Sequence, residues 1–573
     1  MAQLTLRAAL TGMVLGGLLS LCNLYSGLKI GWSNNMSVTA ALIGFAFWRA
    51  MAVATRRPGL TILENNINQT AASAGAAISS AGLVAPIPAL TIMTGEQLSW
   101  PMLALWTFSV CCVGIVVAIG LRRQMILVDK LPFPNGIASA TTLKEMYSSG
   151  REAMVRVGTL LGAAAISGAV KALEHFKVLG KVALPGSIGG LQSSNLTLAL
   201  EPNMLMVGVG GLIGLRGGVS LLIGALVAYV VLSPIAFGEG WTSPPTPKES
   251  WFVIHNKWLL WPGVTLMVAA SLTSFAFSWR SIARSFRRQP KGADGAVEDE
   301  GNVSRPWFLR ALVAALVLST ALQVAFFEIN LFIAAFGVIM SFLIAVIAAR
   351  VSGETNVTPV GAMGKITQLL FGALTPGQVT PNLMAANVTG GAASQAADLM
   401  HDMKTGYLLG AMPRYQALVQ VLGALAGATI GSAAYLVLIP DPKAMLITDE
   451  WPAPAVSTWK SVAEVFSVGF DAMPTASPIA ILIAAVLGVV MAVLEKRLPQ
   501  GAQRFVPSAS AIGLAFVLPA YNAISMFFGA VVAAALGRWV PSWSARFVVV
   551  ICAGLIAGES LAGVAIAIEG MAR

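Results

Sequence analysis

The chain has 573 residues, 56% of them hydrophobic and only 11% charged, with a formal net charge of +11 and a mean hydropathy of +0.77. Soluble domains carry about 25% charged residues, so this composition excludes a water-soluble globular fold. The basic residues lie in short segments between apolar runs (Arg56-Arg57, Arg122 to Lys130, Lys171 to Lys181, Arg280 to Lys291, Lys496-Arg497). That is the positive-inside bias of a membrane protein, which places those segments in the cytoplasm and removes nucleic acid as a partner.

The first apolar run, 6–28, is too long for a signal-peptide core and lacks a small-residue cleavage site, so it reads as a membrane helix. Further runs of about 20 residues, enough to span a bilayer as a helix, recur at 99–120, 217–238, 307–327, 330–349, 477–494 and 544–567. The expected fold is an all-α polytopic membrane protein with about 14–16 segments, some of them discontinuous or re-entrant. Residues 284–306, RSFRRQPKGADGAVEDEGNVSRP, form a charged cytoplasmic loop between two membrane halves, 1–283 and 307–573. Four cysteines sit in apolar runs without CxxC spacing, and no metal site or cofactor is indicated.

Within the first half, ENNINQTAASAGA (64–76) concentrates amides where the flanking chain is apolar, and Pro86 and Pro88 follow. At helical spacing Glu64, Asn68 and Gly75 share one side, and Asn66, Thr70 and Ser73 a neighbouring one. A polar face ending at prolines suits a broken helix beside a cavity, with interhelical hydrogen bonding as the alternative use of the amides. Residues 350–372, RVSGETNVTPVGAMGKITQLLFG, place Glu354, Asn356, Thr358 and Lys365 between helices. GAMGKIT is no phosphate loop, because Pro359 stands where that motif needs glycine. In 382–410, Asn387, Ser394, Asp398 and Asp402 follow near-helical spacing, with His401 and Lys404 beside them. Asp398 and His401 form a candidate proton relay, whereas Asp402 and Lys404 read equally well as the interfacial end of that helix. Glu559, deep in the last apolar run, is a further proton-coupling candidate. Glycines 210, 214 and 218, and 423, 427 and 431, read as close-packing positions.

The chain repeats itself across its midpoint. NMS (35–37) matches NVT (356–358) at an offset of 321, and at the same offset NINQTAAS (66–73) matches NVTGGAAS (387–394). Internal duplication is a hallmark of secondary transporters, whose substrate sits at the repeat interface near the membrane midplane. An intramembrane enzyme or a channel is the competing class, but HExxH and GxSxG are absent.

Six stretches in order, ENNINQTAASAG, KLPFPNGIASATTLKEM, GETNVTPVGAMGKITQLLFG, ANVTGGAASQAADLMHDMKTGYLLGAMPRYQ, VPSASAIGLAFVLP and AGLIAGESLAG, resemble the oligopeptide transporter family, nearer its prokaryotic and yellow-stripe-like side. The resemblance implies proton-driven symport of small peptides, or of metal complexes with peptide-like chelators, in a bacterial inner membrane. It highlights Glu64, Asn68, Gln69, Asn135, Asn356, Lys365, Asn387, Gln395, Asp398 and Lys404. The expected substrate-binding set is Glu64, Asn66, Asn68, Gln69, Thr70, Asn135, Asn356, Lys365, Asn387, Ser394 and Gln395. The expected proton-coupling set is Glu64, Asp398, His401 and Glu559. The partners are the substrate, protons, the lipid bilayer and a second copy of the chain.

Overall fold

The structure, a computed structural model, describes residues 3–31, 33, 35–148, 150–246, 249–279, 303–355, 358–469 and 473–572. Asn356 and most of the charged loop 284–306 lie outside the described residues. The first half contains α1 (Leu6–Ile30), α2 (Ser37–Thr55), α3 (Ile62–Ala76), α4 (Pro86–Thr94), α5 (Trp100–Arg122), α6 (Pro134–Ser148), α7 (Gly150–His175), α8 (Met204–Ala225), α9 (Ser233–Gly238) and α10 (Trp251–Phe277). The second contains α11 (Arg305–Phe327), α12 (Leu331–Thr355), α13 (Val360–Leu374), α14 (Val379–Leu409), α15 (Pro413–Leu438), α16 (Pro454–Val468), α17 (Ser477–Arg497), α18 (Ala509–Phe516), α19 (Ala520–Trp539) and α20 (Pro541–Ala572). Two short antiparallel strand pairs, within 182–200, are the only sheet among the described residues.

Thirteen helical spans among the described residues are long and apolar enough to cross a bilayer. With α14 added to these thirteen the count is 14, since its 31 residues suffice in length although it is too polar to qualify on composition. The chain is an integral, multi-pass, all-α membrane protein. Exposed apolar side chains such as Val53, Phe332 and Ile479 belong to helix faces that lipid covers.

The helices group into two compact units. One comprises Met1–Leu24, Ser33–Val157 and Ser278–Val437, and the other Tyr25–Trp32, Gly158–Phe277 and Leu438–Arg573. Each therefore takes chain from both sides of the charged loop.

In the first unit the sequence repeat becomes a structural one. Gly16 of α1 lies against Ala71 and Ala72 of α3, and Gly337 of α12, 321 residues on, lies against Ala385 of α14. Likewise Gly423 of α15 packs on Ala71, and Gly114 of α5 packs on Ala392, again 321 residues from Ala71. Between membrane helices there is little hydrophobic drive, so close backbone approach at small residues supplies the attraction.

The direction of the repeat follows from hydrogen bonds. Asn387, near the start of α14, donates to Ala81 O beyond the end of α3 at 3.0 Å. Near the other end of α14, Gln416 Nε2 bonds both Asp402 O (2.7 Å) and Thr70 Oγ1 (3.3 Å). So α3 and α14, which the repeat makes equivalent, run antiparallel. The duplication is inverted.

The two copies differ where it matters for access. After Ala76 helix α3 tightens into a 3₁₀ turn, Ala77–Ala81, and restarts at α4 with Pro86 in its first turn. The equivalent positions, 398–402, stay helical within α14. The expected broken helix is therefore present in the first copy only.

In the second unit, Gly210 and Gly218 of α8 pack on Met526 and Ala530 of α19, as close-packing glycines should. Gly214 does not. It has open space around it and φ +79°, so it marks a kink inside α8 rather than a helix contact.

Candidate functional site

The amide-rich helix α3 is buried on all sides from Glu64 to Ser79, so the expectation of a polar face beside a cavity is corrected over that length. Neighbouring helices cover it, and its amides serve them. Asn65 Nδ2 donates to Ala41 O (3.0 Å), Asn68 Nδ2 to Ala40 O (3.3 Å), and Asn23 of α1 to Ala76 O (3.0 Å). Each such interhelical bond contributes about 0.6 kcal/mol. Gln69 bonds within its own turn, to Asn66 Oδ1 (3.3 Å) and Thr70 Oγ1 (3.2 Å), which leaves Gln69 Oε1 and Asn66 Nδ2 without partners.

Glu64 has a local explanation. Thr61 accepts from Glu64 N (3.2 Å) while Glu64 Oε2 accepts from Thr61 N (2.8 Å), a capping box that starts α3. Arg7 grips the same carboxylate with two bonds of 2.8 Å, and Thr5 adds a third of 2.8 Å. This is a saturated carboxylate at a helix start.

At two helix junctions related by the repeat, described side chains bond to one another and to the C-terminal half of α14: Ser33, Asn35 and Ser37 at the first, Ser352 and Thr358 at the second. In the first, Ser33 Oγ lies 3.0 Å from Ser80 Oγ, Asn35 Nδ2 donates to Asp398 Oδ1 at 3.4 Å, and Ser37 Oγ lies 3.0 Å from Asp402 Oδ1. In the second, Thr358 Oγ1 donates to Ser352 Oγ (3.0 Å), which lies 3.1 Å from His401 Nε2. Along α14 most side chains are buried, yet Ser394 and Asp398, one turn apart, are only half-buried. Ser33, Ser80 and Thr358 are also half-buried and Asn35 is exposed, so these polar side chains reach solvent and mark a candidate crevice.

The remaining expected residues each have surroundings of their own. Gln395, fully buried beside Gly114, has neither amide atom paired. Asn387 holds the 3₁₀ turn, as described. Lys365 is buried on α13 and donates to Gln368 Oε1 (2.9 Å), whose amide continues to Asn382 (3.1 Å) at the start of α14. Asn135 is half-buried at the start of α6, next to Gly136, which packs on His401 and Lys404. Glu559 belongs to the second unit, where its Oε2 accepts from Leu205 N at 2.7 Å and, with Asn203, caps α8.

Asp402 and Lys404 are buried inside the protein. Asp402 is 1% exposed and Lys404 8%, and Lys404 Nζ donates to Leu131 O at 3.0 Å. Helix α14 continues past both to a left-handed Gly410, so the helix end lies two turns beyond Asp402. Its four-residue spacing from Asp398 was the sequence signal that placed Asp402 beside the candidate relay. One omission was the pair Arg350 Nη1–Asp129 Oδ2, 2.7 Å apart and mostly buried, which no local spacing announces. Among the described residues no cluster of three histidine, cysteine or carboxylate side chains is arranged to hold a metal ion.

Comparison with known proteins agrees on one family. The family model described as "OPT oligopeptide transporter protein" matches residues 3–569. A putative oligopeptide transporter of Saccharomyces cerevisiae is 23% identical, covering 98% of this chain and 95% of the relative. A probable metal-nicotianamine transporter of Oryza sativa subsp. japonica is 26% identical over 98% of this chain and 84% of the relative. A putative oligopeptide transporter of Haemophilus influenzae is 25% identical over 95% of this chain and 92% of the relative.

Proposed function

The chain belongs to the oligopeptide transporter family, and from that premise we propose that it is a proton-coupled symporter of small oligopeptides or peptide-like compounds. It works by alternating access, in a bacterial cytoplasmic membrane. The observation that carries this reading is that polar side chains at both repeat-related helix junctions reach α14, Asn35 at Asp398 and Thr358 through Ser352 at His401. Unwound backbone between helices supplies hydrogen-bonding groups to a substrate, and inverted repeats place such a site at their interface.

Within the site the roles divide by exposure. Ser394, Asn35 and Thr358 present hydroxyl and amide groups to a peptide, and Asp398 meets its amine. Gln395 and Asn387 lie behind them, and Lys365 organises the junction of α13 with α14. Glu64 and Glu559, each engaged at a helix start, shape the helices and stand outside the proton path. Asp398 and His401 remain the groups through which a proton enters.

A second reading, carriage of a metal chelate, is favoured by the relative named as a probable metal-nicotianamine transporter. Since no metal-ligating cluster is present among the described residues, such a carrier would bind the intact complex through the chelator's carboxylate and amino groups.

Uptake into proteoliposomes tests both. With an inward proton gradient, labelled di- and tripeptides are expected to accumulate above equilibrium, and collapse of the gradient with a protonophore abolishes this. Accumulation that ignores pH gradient and membrane potential refutes the coupling. Accumulation of ferric or nickel nicotianamine without peptide competition replaces the peptide reading with the chelate one.

A further inference from the structure

Asp402 is the more deeply buried of the two carboxylates on α14. Oδ1 lies 3.0 Å from Ser37 Oγ, which in turn lies 3.1 Å from Ser73 Oγ. The Gln69 amide and the Ser73 hydroxyl also lie within hydrogen-bonding reach of the carboxylate. Yet Oδ2 has no partner, and neither has Gln69 Oε1, which is fully buried.

The charged groups on the elements packed around Asp402 are exposed or engaged elsewhere. On α6, which packs on His401 and Lys404, Lys144 is exposed and Glu145 pairs with Arg156. On α12, Arg350 pairs with Asp129 and Glu354. On α3, Glu64 is engaged by Arg7. On α2, Arg49 sits over the Phe45 ring. On α15, Arg414 is exposed and sits over Tyr415. On α14 itself, Lys404 is turned to Leu131 O and His401 to Ser352, while Asp398 is a like charge. A buried carboxylate without a countercharge is held only if it is neutralised. Asp402 Oδ2 and Gln69 Oε1 are each buried acceptors without a donor.

We propose that Asp402 is the buried proton-binding site of this carrier, and that its protonation state controls how the start of α2 sits on α14. The proposal rests on the symport reading above and names the group that holds the ion. A proton taken up from water by half-buried Asp398 passes one helical turn along α14 to Asp402: the O–H on the Asp398 carboxyl breaks as the O–H on Asp402 forms, and Asp398 is left ionised. Asn35 and Ser37, two residues apart, touch the two acids, Asn35 at Asp398 and Ser37 at Asp402. Ser37 is also the first residue of α2, so the ionised carboxylate faces the positive end of that helix. Charging Asp402 draws the start of α2 onto α14, and protonation loosens it. The repeat-equivalent of Asp402 is Ala81, so only one copy carries this switch.

Infrared difference spectroscopy of the full chain reconstituted in lipid tests the site without a substrate. The probe is the proton itself, titrated in choline chloride. The wild type is expected to show a carboxylic-acid carbonyl band that is lost as pH rises. Asp402→Asn removes that band, Asp398→Asn retains it, and Asp402→Glu shifts its frequency, which keeps the test valid should the asparagine variant fail to fold. A band unchanged in both Asp402 variants overturns the proposal. So does its disappearance when sodium replaces choline at constant pH, which would make the occupant a metal cation. If the band behaves as expected but peptide uptake is independent of pH, the symport reading fails and the site assignment stands.

Discussion

Replacing Glu64 by glutamine separates two roles that its motif leaves open. The carboxylate is 2% exposed, and its partner Arg7 is 30% exposed. The pair is thus intermediate between surface ion pairs, which contribute about 0.2–1 kcal/mol, and fully buried ones, whose breakage costs about 3–5 kcal/mol. Glutamine at the third helical position keeps a capping-box acceptor for Thr61 N, so little of the cap is lost. What disappears is the charge assistance of two 2.8 Å bonds from Arg7, which leaves that guanidinium partly desolvated without a countercharge. The expected loss for Glu64→Gln is about 2 kcal/mol. In a cycle with Arg7→Ala, the coupling energy is about 1–2 kcal/mol. The assay is SDS-induced unfolding of the purified chain in mixed micelles for the four variants, alongside proton-driven peptide uptake by the two Glu64 forms. Uptake per folded molecule should keep its dependence on the pH gradient. A Glu64→Gln protein of unchanged stability whose uptake no longer responds to pH would refute the reasoning and return Glu64 to the proton path.

The remaining predictions bear on the packing and on the crevice. Asp129→Asn is expected to cost about 1.5–3 kcal/mol in the same unfolding assay, because it removes the charge assistance of the bond to Arg350 while Glu354, 3.3 Å from Arg350 Nε, still faces the guanidinium. A loss under about 1 kcal/mol would show that Glu354 and water compensate fully. Gly423→Val drives a branched side chain into the Ala71 backbone and should destabilise by about 1–3 kcal/mol or more, measured as reduced yield and earlier unfolding. Asn387→Ala removes the bond to Ala81 O and should cost about 0.6–2 kcal/mol. In a background free of the four native cysteines, cysteine at 394 or 398 should react with a water-soluble methanethiosulfonate, whereas cysteine at 393 or 397 should not. Equal labelling at all four positions would abolish the crevice.

Much of the membrane architecture was legible because its cause is local. An apolar run of about 20 residues has few alternatives to spanning a bilayer as a helix, and the helices at 100–122, 305–327, 331–355 and 477–497 lie where the apolar runs predicted them. The duplication was legible too, since Asn66 and Asn387 lie at the same offset as Asn35 and Asn356. The site was read less well. The residue types of α3 and α14 marked both as polar helices, but did not distinguish an amide that holds a neighbouring backbone, such as Asn68, from a side chain open to water, such as Asp398.

By itself, then, the sequence determined that this is a duplicated, helical membrane protein with two polar helices in its interior, because hydrophobic length and internal repetition are properties of the chain. Only the tertiary structure decided that the repeat is inverted, since antiparallel running is visible only where Asn387 meets Ala81 and Gln416 bridges Thr70 to Asp402. It also decided the fates of two carboxylates. Glu64 is engaged because Arg7, 57 residues away, folds back onto it, while Asp402 lies buried without a countercharge among Ser37, Gln69 and Ser73. Burial and partnership are relations between distant segments, and helical spacing along one of them does not contain the other.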